Sequence, residues 1–119
     1  MGFPLITKNL CRGLIIKMSE LRIAVISDIH GNADALNSAL EKLKQLSIDT
    51  TVFLGDLLTY GCQPLIVLDI LKAYKKSHNC IFIKGNHDQF YFDLADGKDS
   101  FDYAIPGFVS ESILWTANE

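Results

Sequence analysis

The sequence is poor in cysteine, and the three that it has are not arranged as a scaffold. Cys11, Cys62 and Cys80 are widely spaced, their number is odd, and no Cys-x-x-Cys pair occurs in the 119 residues. This pattern disfavours a disulfide framework or a structural zinc knuckle. It favours reduced thiols, and we therefore expect a cytoplasmic protein.

The sequence also lacks a strong charge bias and a long apolar run. Eleven Lys+Arg stand against 14 Asp+Glu, a net charge of −3, which gives no electrostatic footprint for nucleic acid or an anionic membrane. No stretch of about 18 apolar residues occurs, so no bilayer-spanning helix is predicted. Since 49% of residues are apolar and 21% charged, a packed globular core is expected.

Residues 1–17 differ from the rest because they are basic and contain no acidic residue. Their longest apolar run after a basic residue has only three members, too few for a secretory signal, and a transit peptide would usually carry more Arg and Ser. Met18 stands just before a strong strand pattern. We interpret 1–17 as an N-terminal extension, either an upstream start or a loose tail, and 18–119 as the domain.

From Met18 onward, short apolar runs alternate with helical patterns. Strand–helix units of about 30 residues imply parallel strands with right-handed crossovers, hence an α/β fold, which we expect to carry helices on both faces of the sheet. The first strand is predicted to be buried on both faces, and the second helix to be covered on more than one side. The predicted strands are 21–27, 50–54 and 80–84, and the predicted helices are 33–46, 64–76 and 108–118, with a helical turn at 89–94 and a polar loop at 95–102.

A polar cluster follows each predicted strand. Asp28 and His30 follow the first, Asp56 the second, and Asn86 and His87 the third. Each cluster alone is also typical of a polar turn. Together they lie one strand–helix unit apart at the carboxyl edge of one sheet, where ligands bind in open α/β folds. Oxygen ligands mixed with imidazole suit Mn, Fe, Zn, Ni or Co.

The ordered set Asp-x-His, Gly-Asp and Gly-Asn-His-Asp resembles the N-terminal half of the calcineurin-like metallophosphoesterase superfamily. The resemblance covers Leu21 to Asp88. Within the superfamily, SDIHGN with GDLLTYG resembles the small bacterial phosphodiesterases of the YfcE-like type. Protein Ser/Thr phosphatases carry Gly-Asp-x-x-Asp-Arg-Gly instead, which disfavours that branch because Thr59-Tyr60-Gly61 stands here. A Rossmann-like nucleotide binder ranks low, since no Gly-x-Gly-x-x-Gly follows the first strand.

The resemblance implies a site with two divalent metal ions, with Mn the leading expectation. Asp28 and His30 would ligate the first ion, Asp56 would bridge both, and Asn86 would ligate the second. His87 would contact the phosphoryl oxygens, stabilising charge or protonating the leaving group. The implied reaction is hydrolysis of a phosphodiester or phosphomonoester by a metal-activated hydroxide, on a phosphorylated small molecule or nucleotide.

The sequence departs from the family after His87. The family completes its site with a later His and a His-x-His, but no histidine follows His87 here, and His78 is predicted to face solvent at the wrong edge of the sheet. The second ion would keep only Asp56 and Asn86. We therefore expect a truncated βαβαβ half of the fold that is poorly active or inactive alone.

The sequence leaves one competing function open, and it also predicts a partner. A non-catalytic interaction scaffold on the same fold is the competing function. Every ligand position in the covered half is intact, which favours a shortened enzyme over a scaffold that lost ligands one by one. Apolar surface left uncovered, as on the helix at 64–76, favours a homo-oligomer or a complementary chain.

Overall fold

Three strands and four helices make up the part of the chain that the structure, a computed structural model, describes: residues 20–98 and 104–119. The predicted α/β class is confirmed. The proposed extension at 1–17 and part of the polar loop at 95–102 lie outside the described residues. In chain order the elements are β1 (Ile23–Ile26), α1 (Ala33–Lys44), β2 (Thr50–Phe53), α2 (Pro64–Ser77), β3 (Cys80–Phe82), α3 (Asn86–Ala95) and α4 (Gly107–Asn118).

The sheet has the order β1-β2-β3, and both pairings are parallel. Val25 pairs with Val52, which pairs in turn with Ile81, so these three side chains share a face. From β1 to β2 and from β2 to β3 the chain moves in the same direction across the sheet. Two right-handed crossovers therefore place α1 and α2 on the same side of the sheet. All three strands end at the same edge.

The main core lies between α1, α2 and one face of the sheet. Phe53 stands at its centre and is fully buried. Leu36 and Leu40 from α1 and Val67 and Leu71 from α2 pack in the same cluster. Replacing a buried aromatic side chain of this kind with alanine typically lowers the free energy of unfolding by about 3–5 kcal/mol. The core thus fixes the sheet and both helices below the loops that follow the strands.

Within residues 20–98 and 104–119, no helix covers the other face of the sheet, whereas helices on both faces were expected. Val25 remains 59% exposed and Ile81 52% exposed, and Ile23 is similarly open. Among the described residues, the strand predicted at 21–27 is therefore covered on one face only. A continuous apolar run predicts a strand that can be buried on both faces. Whether another layer of structure covers the second face depends on the rest of the fold.

Helix α2 is also covered on one side only. Val67 and Leu71 are buried, whereas Leu65 and Ile66 are each about half exposed. The prediction that this helix would be covered on more than one side is wrong for the described residues. Apolar residues on all sides of α2 therefore do not mean that all sides are packed.

The start of α1 agrees with the sequence prediction, whereas the start of α3 does not. Asn32 caps α1 as predicted, since its side-chain oxygen accepts a hydrogen bond from the N–H of Ala35 at 2.9 Å. Helix α3 begins at Asn86, inside the polar cluster, where only a turn at 89–94 was predicted. It packs against α4 through a second, smaller cluster consisting of Phe90, Val109 and Ile113.

Candidate metal centre

The loops that follow the strands are joined by main-chain hydrogen bonds. The N–H of Asp28 donates to the carbonyl oxygen of Gly55 at 3.2 Å, and the N–H of His30 donates to that of Asp56 at 2.9 Å. The N–H of Gly61 donates to the carbonyl of His30 at 2.8 Å. These bonds continue the ladder of parallel strands beyond the sheet, so the loop tips hold a fixed relation to each other.

Two glycines allow the second and third loops to touch. A Cβ on Gly55 would lie 2.1 Å from the Gly85 nitrogen, and a Cβ on Gly85 would lie 2.3 Å from Oδ1 of Asp56. Gly55 also has a φ of +98°, a conformation that side chains rarely adopt. Both positions therefore require glycine for close approach, and the contact brings the third loop against Asp56.

Asp28, His30 and Asp56 meet at the edge of the sheet. Each offers one ligand atom, and these atoms all lie within 4.8 Å of one another. Asp28 is exposed, and the other two are partly buried. All three residues have left-handed backbones, with φ of 57°, 46° and 52°. Non-glycine residues in that region are uncommon and collect at functional sites, where the surrounding structure holds them.

A hydrogen bond orients the imidazole of His30. Its Nδ1 lies 3.1 Å from the carbonyl oxygen of Leu58, and since a carbonyl only accepts, Nδ1 carries the proton. With Nδ1 as the donor, the other ring nitrogen, Nε2, is the atom available as a ligand, and it lies 3.6 Å from Oδ1 of Asp28. Metal-binding histidines are commonly oriented in this way by a carbonyl on the other nitrogen.

The donor set fits a divalent first-row ion. Two carboxylates placed this close repel each other, and a cation between them would relieve that repulsion. The available imidazole nitrogen adds a borderline ligand that suits Mn, Fe, Zn, Ni or Co. The arrangement can therefore hold one divalent cation with three protein ligands and leave coordination positions open for water or substrate.

Asn86 and His87 form the start of α3, and His87 lies beside this cluster. Asn86 is exposed. The N–H of His87 donates to Oδ1 of Asp56 at 2.9 Å, and its ring centroid lies 5.1 Å from that of His30. Nδ1 of His87 is buried without a hydrogen-bond partner among the described residues. The structure thus places His87 next to Asp56 and His30.

His78 lies at the far end of α2, away from the cluster. It is exposed, and its ring stacks on Tyr74 at a centroid distance of 3.9 Å. Its Nδ1 lies 3.0 Å from the carbonyl oxygen of Tyr74. The prediction that His78 is a solvent-facing residue outside the site is confirmed.

Asp88 has a structural role that the sequence did not reveal. Its carboxylate accepts hydrogen bonds from three main-chain N–H groups: Asp56 at 2.8 Å, Leu57 at 3.1 Å and Gly85 at 2.8 Å. It thereby fastens the second loop to the third. An acidic residue in the first turn of a helix is the available signal, because such residues commonly bond to free N–H groups there.

Tyr60 lies in the loop after β2, and its ring borders the site. Its centroid lies 5.1 Å from those of both His30 and His87. Thr59 and Tyr60 have φ of 77° and 69°. The hydroxyl of the buried Thr59 bonds to that of Tyr91, and burial raises the pKa of Tyr91, which keeps this phenol neutral.

The chain belongs to the calcineurin-like phosphoesterase family, whose family model matches residues 21–117. It is 39% identical over 99 residues to the uncharacterized protein MJ0912 of Methanocaldococcus jannaschii, an alignment that covers 83% of this chain and 37% of the relative. The family predicted from the three polar clusters is therefore confirmed.

Two solved structures share the fold. The hypothetical protein PH1004 of Pyrococcus horikoshii OT3 is 25% identical with a TM-score of 0.69, covering 82% of this chain and 42% of that one. A metallophosphoesterase from Sphaerobacter thermophilus is 29% identical with a TM-score of 0.57, covering 84% and 37%. The chain thus spans less than half the length of these relatives.

No helix within residues 20–98 and 104–119 combines the length and apolarity needed to cross a membrane.

Proposed function

We propose that this chain carries the metal-binding part of a phosphoesterase that hydrolyses phosphodiesters or phosphomonoesters. The observation that carries the proposal is the cluster of Asp28, His30 and Asp56, whose ligand atoms lie within 4.8 Å of one another. Membership of the calcineurin-like phosphoesterase family supports it. The substrate would be a phosphorylated small molecule or a nucleotide, and the proposed compartment is the cytoplasm.

Each ligand has a proposed role. Asp28 and His30 would hold the first divalent ion, Asp56 would contact both, and Asn86 would hold the second. Such ions, when bound, lower the pKa of water and shield the charge of a phosphoryl group. Manganese is the first ion to test. The hydrogen bond from His30 Nδ1 to Leu58 supports the role of His30, because it leaves Nε2 available as a ligand.

His87 is the proposed catalytic residue. Its main chain is tied to the carboxylate of Asp56, so its imidazole has a defined place beside the proposed metal ligands. There it would contact the phosphoryl oxygens and donate a hydrogen bond or a proton as the leaving group departs. The adjacent ring of His30 lies at a centroid distance of 5.1 Å.

Metal binding tests the first step of the proposal. Calorimetric titration of Mn²⁺ into the metal-free chain should show saturable binding. Because Asp56 is shared by both proposed ions, Asp56→Asn should weaken that binding by at least about tenfold. Asp69→Asn removes a carboxylate that is exposed on α2, and it should leave the affinity unchanged.

Hydrolysis tests the second step. The chain should cleave bis(p-nitrophenyl) phosphate or p-nitrophenyl phosphate slowly in Mn²⁺, and chelation of the metal or His87→Ala should abolish the turnover. Slow turnover is expected because the second ion would have few ligands. A folded chain that binds no Mn²⁺ and cleaves neither ester would instead support a non-catalytic interaction scaffold.

A further inference from the structure

We propose that Tyr60 forms the wall of a leaving-group pocket and makes the site prefer phosphoesters whose leaving group is a planar, uncharged aromatic ring. The inference rests on the proposed function, since it places the phosphoryl group beside His87. It adds a determinant of substrate choice that lies outside the three polar clusters. Three features of the structure carry it.

The first feature is a triangle of rings. The centroids of His30, Tyr60 and His87 are separated by 5.1 Å along every side. Both histidine rings are partly buried, whereas Tyr60 is 50% exposed. A phosphoryl group held between the proposed metal ligands and His87 would therefore place its ester substituent next to the open part of the Tyr60 ring.

The second feature is a rigid and strained backbone. Both Thr59 and Tyr60 adopt the left-handed region, which is uncommon for side chains larger than that of asparagine. The N–H of Tyr60 donates to Oγ of Ser112 at 2.9 Å, and the N–H of Gly61 donates to the carbonyl of His30. Because α4 and the first loop both hold this segment, the ring is positioned before any ligand arrives.

The third feature is the cavity in front of the ring. An open cavity of about 540 Å³ adjoins the proposed metal ligands, large enough for a drug-sized or nucleoside-sized group. Its lining includes the carboxylate of Asp34, which is not a proposed metal ligand and disfavours an anionic leaving group. Aromatic rings stack on tyrosine with a gain that alkyl groups do not share. The lining residues that matter here are Asp28, His30, Asp34, Tyr60 and Gln63.

Ligand binding tests the proposal without requiring turnover. The chain is loaded with Zn²⁺ and titrated calorimetrically with inorganic phosphate, methyl phosphate and phenyl phosphate. Phenyl phosphate should bind about fivefold more tightly than methyl phosphate. Tyr60→Leu should bring that ratio close to one while inorganic phosphate binds as before. Phe92→Leu, which removes another exposed aromatic ring on α3, should leave the ratio intact.

The outcomes separate this inference from the proposed function. If the wild-type chain binds none of the three phosphates, the phosphate site fails and the inference falls with it. If it binds inorganic phosphate but shows no aromatic preference, or keeps that preference in Tyr60→Leu, only the role of Tyr60 is overturned. Tyr60→Phe should keep most of the preference, because stacking depends on the ring and not on the hydroxyl.

Discussion

Asp56 and Asp88 hold each other's loops in place. The carboxylate of Asp88 accepts the N–H of Asp56 at 2.8 Å, while the carboxylate of Asp56 accepts the N–H of His87 at 2.9 Å. Asp88 also accepts the N–H groups of Leu57 and Gly85. The second loop, which carries a proposed ligand, and the third, which carries the proposed catalytic histidine, are thus one hydrogen-bonded unit.

Replacing Asp88 should therefore weaken metal binding although Asp88 is not a proposed ligand. In Asp88→Asn, one acceptor oxygen becomes an NH₂ group that faces main-chain donors. We expect the Mn²⁺ affinity to fall by about tenfold, as when other residues that support metal ligands are changed. Titration of Mn²⁺ into the variant measures the loss.

A second measurement on the metal-free chain isolates the positioning role of Asp88. The amide protons of Asp56, Leu57 and Gly85 should exchange with solvent faster in Asp88→Asn than in the wild type. The Asp69→Asn variant on α2 should change neither the exchange nor the affinity. An Asp88→Asn chain with unaltered exchange would show that the loops are held by other contacts.

Gly55→Ala should destabilise the fold. The added Cβ would meet the Gly85 nitrogen at 2.1 Å, and the φ of +98° is unfavourable for alanine. Strain and overpacking of this kind cost about 2–4 kcal/mol. Gly107→Ala is the matched control, because a Cβ at Gly107 meets nothing within 4 Å. Denaturation by urea compares the two, and equal midpoints would contradict the close approach of the loops.

The carboxylate of Asp93 should make stability depend on pH. Hydrogen bonds from Gln89 at 2.7 Å and Lys98 at 3.0 Å lower the pKa of Asp93 in the folded chain. A lowered folded-state pKa adds stability above the unfolded-state value of about 3.9, and that stability is lost as the pH falls through the folded-state pKa.

Thermal unfolding of Asp93→Asn reveals this contribution. The variant should melt below the wild type at neutral pH, and the gap should close in acid below about pH 4. Asp96→Asn changes an exposed residue just beyond the same helix and should show no such pH-dependent gap. A gap for Asp93→Asn that stays constant across the range would rule out the carboxylate as its source.

The sheet face that the described part of the chain leaves exposed should cause the chain to pair with a second copy. Val25 and Ile81 are each more than half exposed, and uncharged apolar faces of this kind favour association. Light scattering should give twice the monomer mass at high concentration, and Val25→Lys should shift the chain towards monomer. Leu46→Lys, at an exposed position just beyond α1, is the control. A monomeric wild type at all concentrations would contradict the prediction.

The order and type of the first five elements could be predicted because local pattern carries that information. The spacing of apolar residues distinguishes α1 from the strands on either side, and Asn32 marks the start of α1. The start of α3 could not be read in the same way. Asn86 and His87 are typical of a turn, and the helix begins there because Asp88 accepts the N–H of Gly85.

The sequence by itself indicated the family through the resemblance of its ordered motifs. It also predicted the parallel α/β fold and a common sheet edge for Asp28, His30 and Asp56, because strand ends and their polar residues follow each other at regular intervals. Only the tertiary structure decided that the described residues leave one sheet face exposed, that Tyr60 lies against two histidines, and that Asp88 joins two loops. Those facts depend on crossover direction and on contacts between residues some 30 positions apart, which no local pattern encodes.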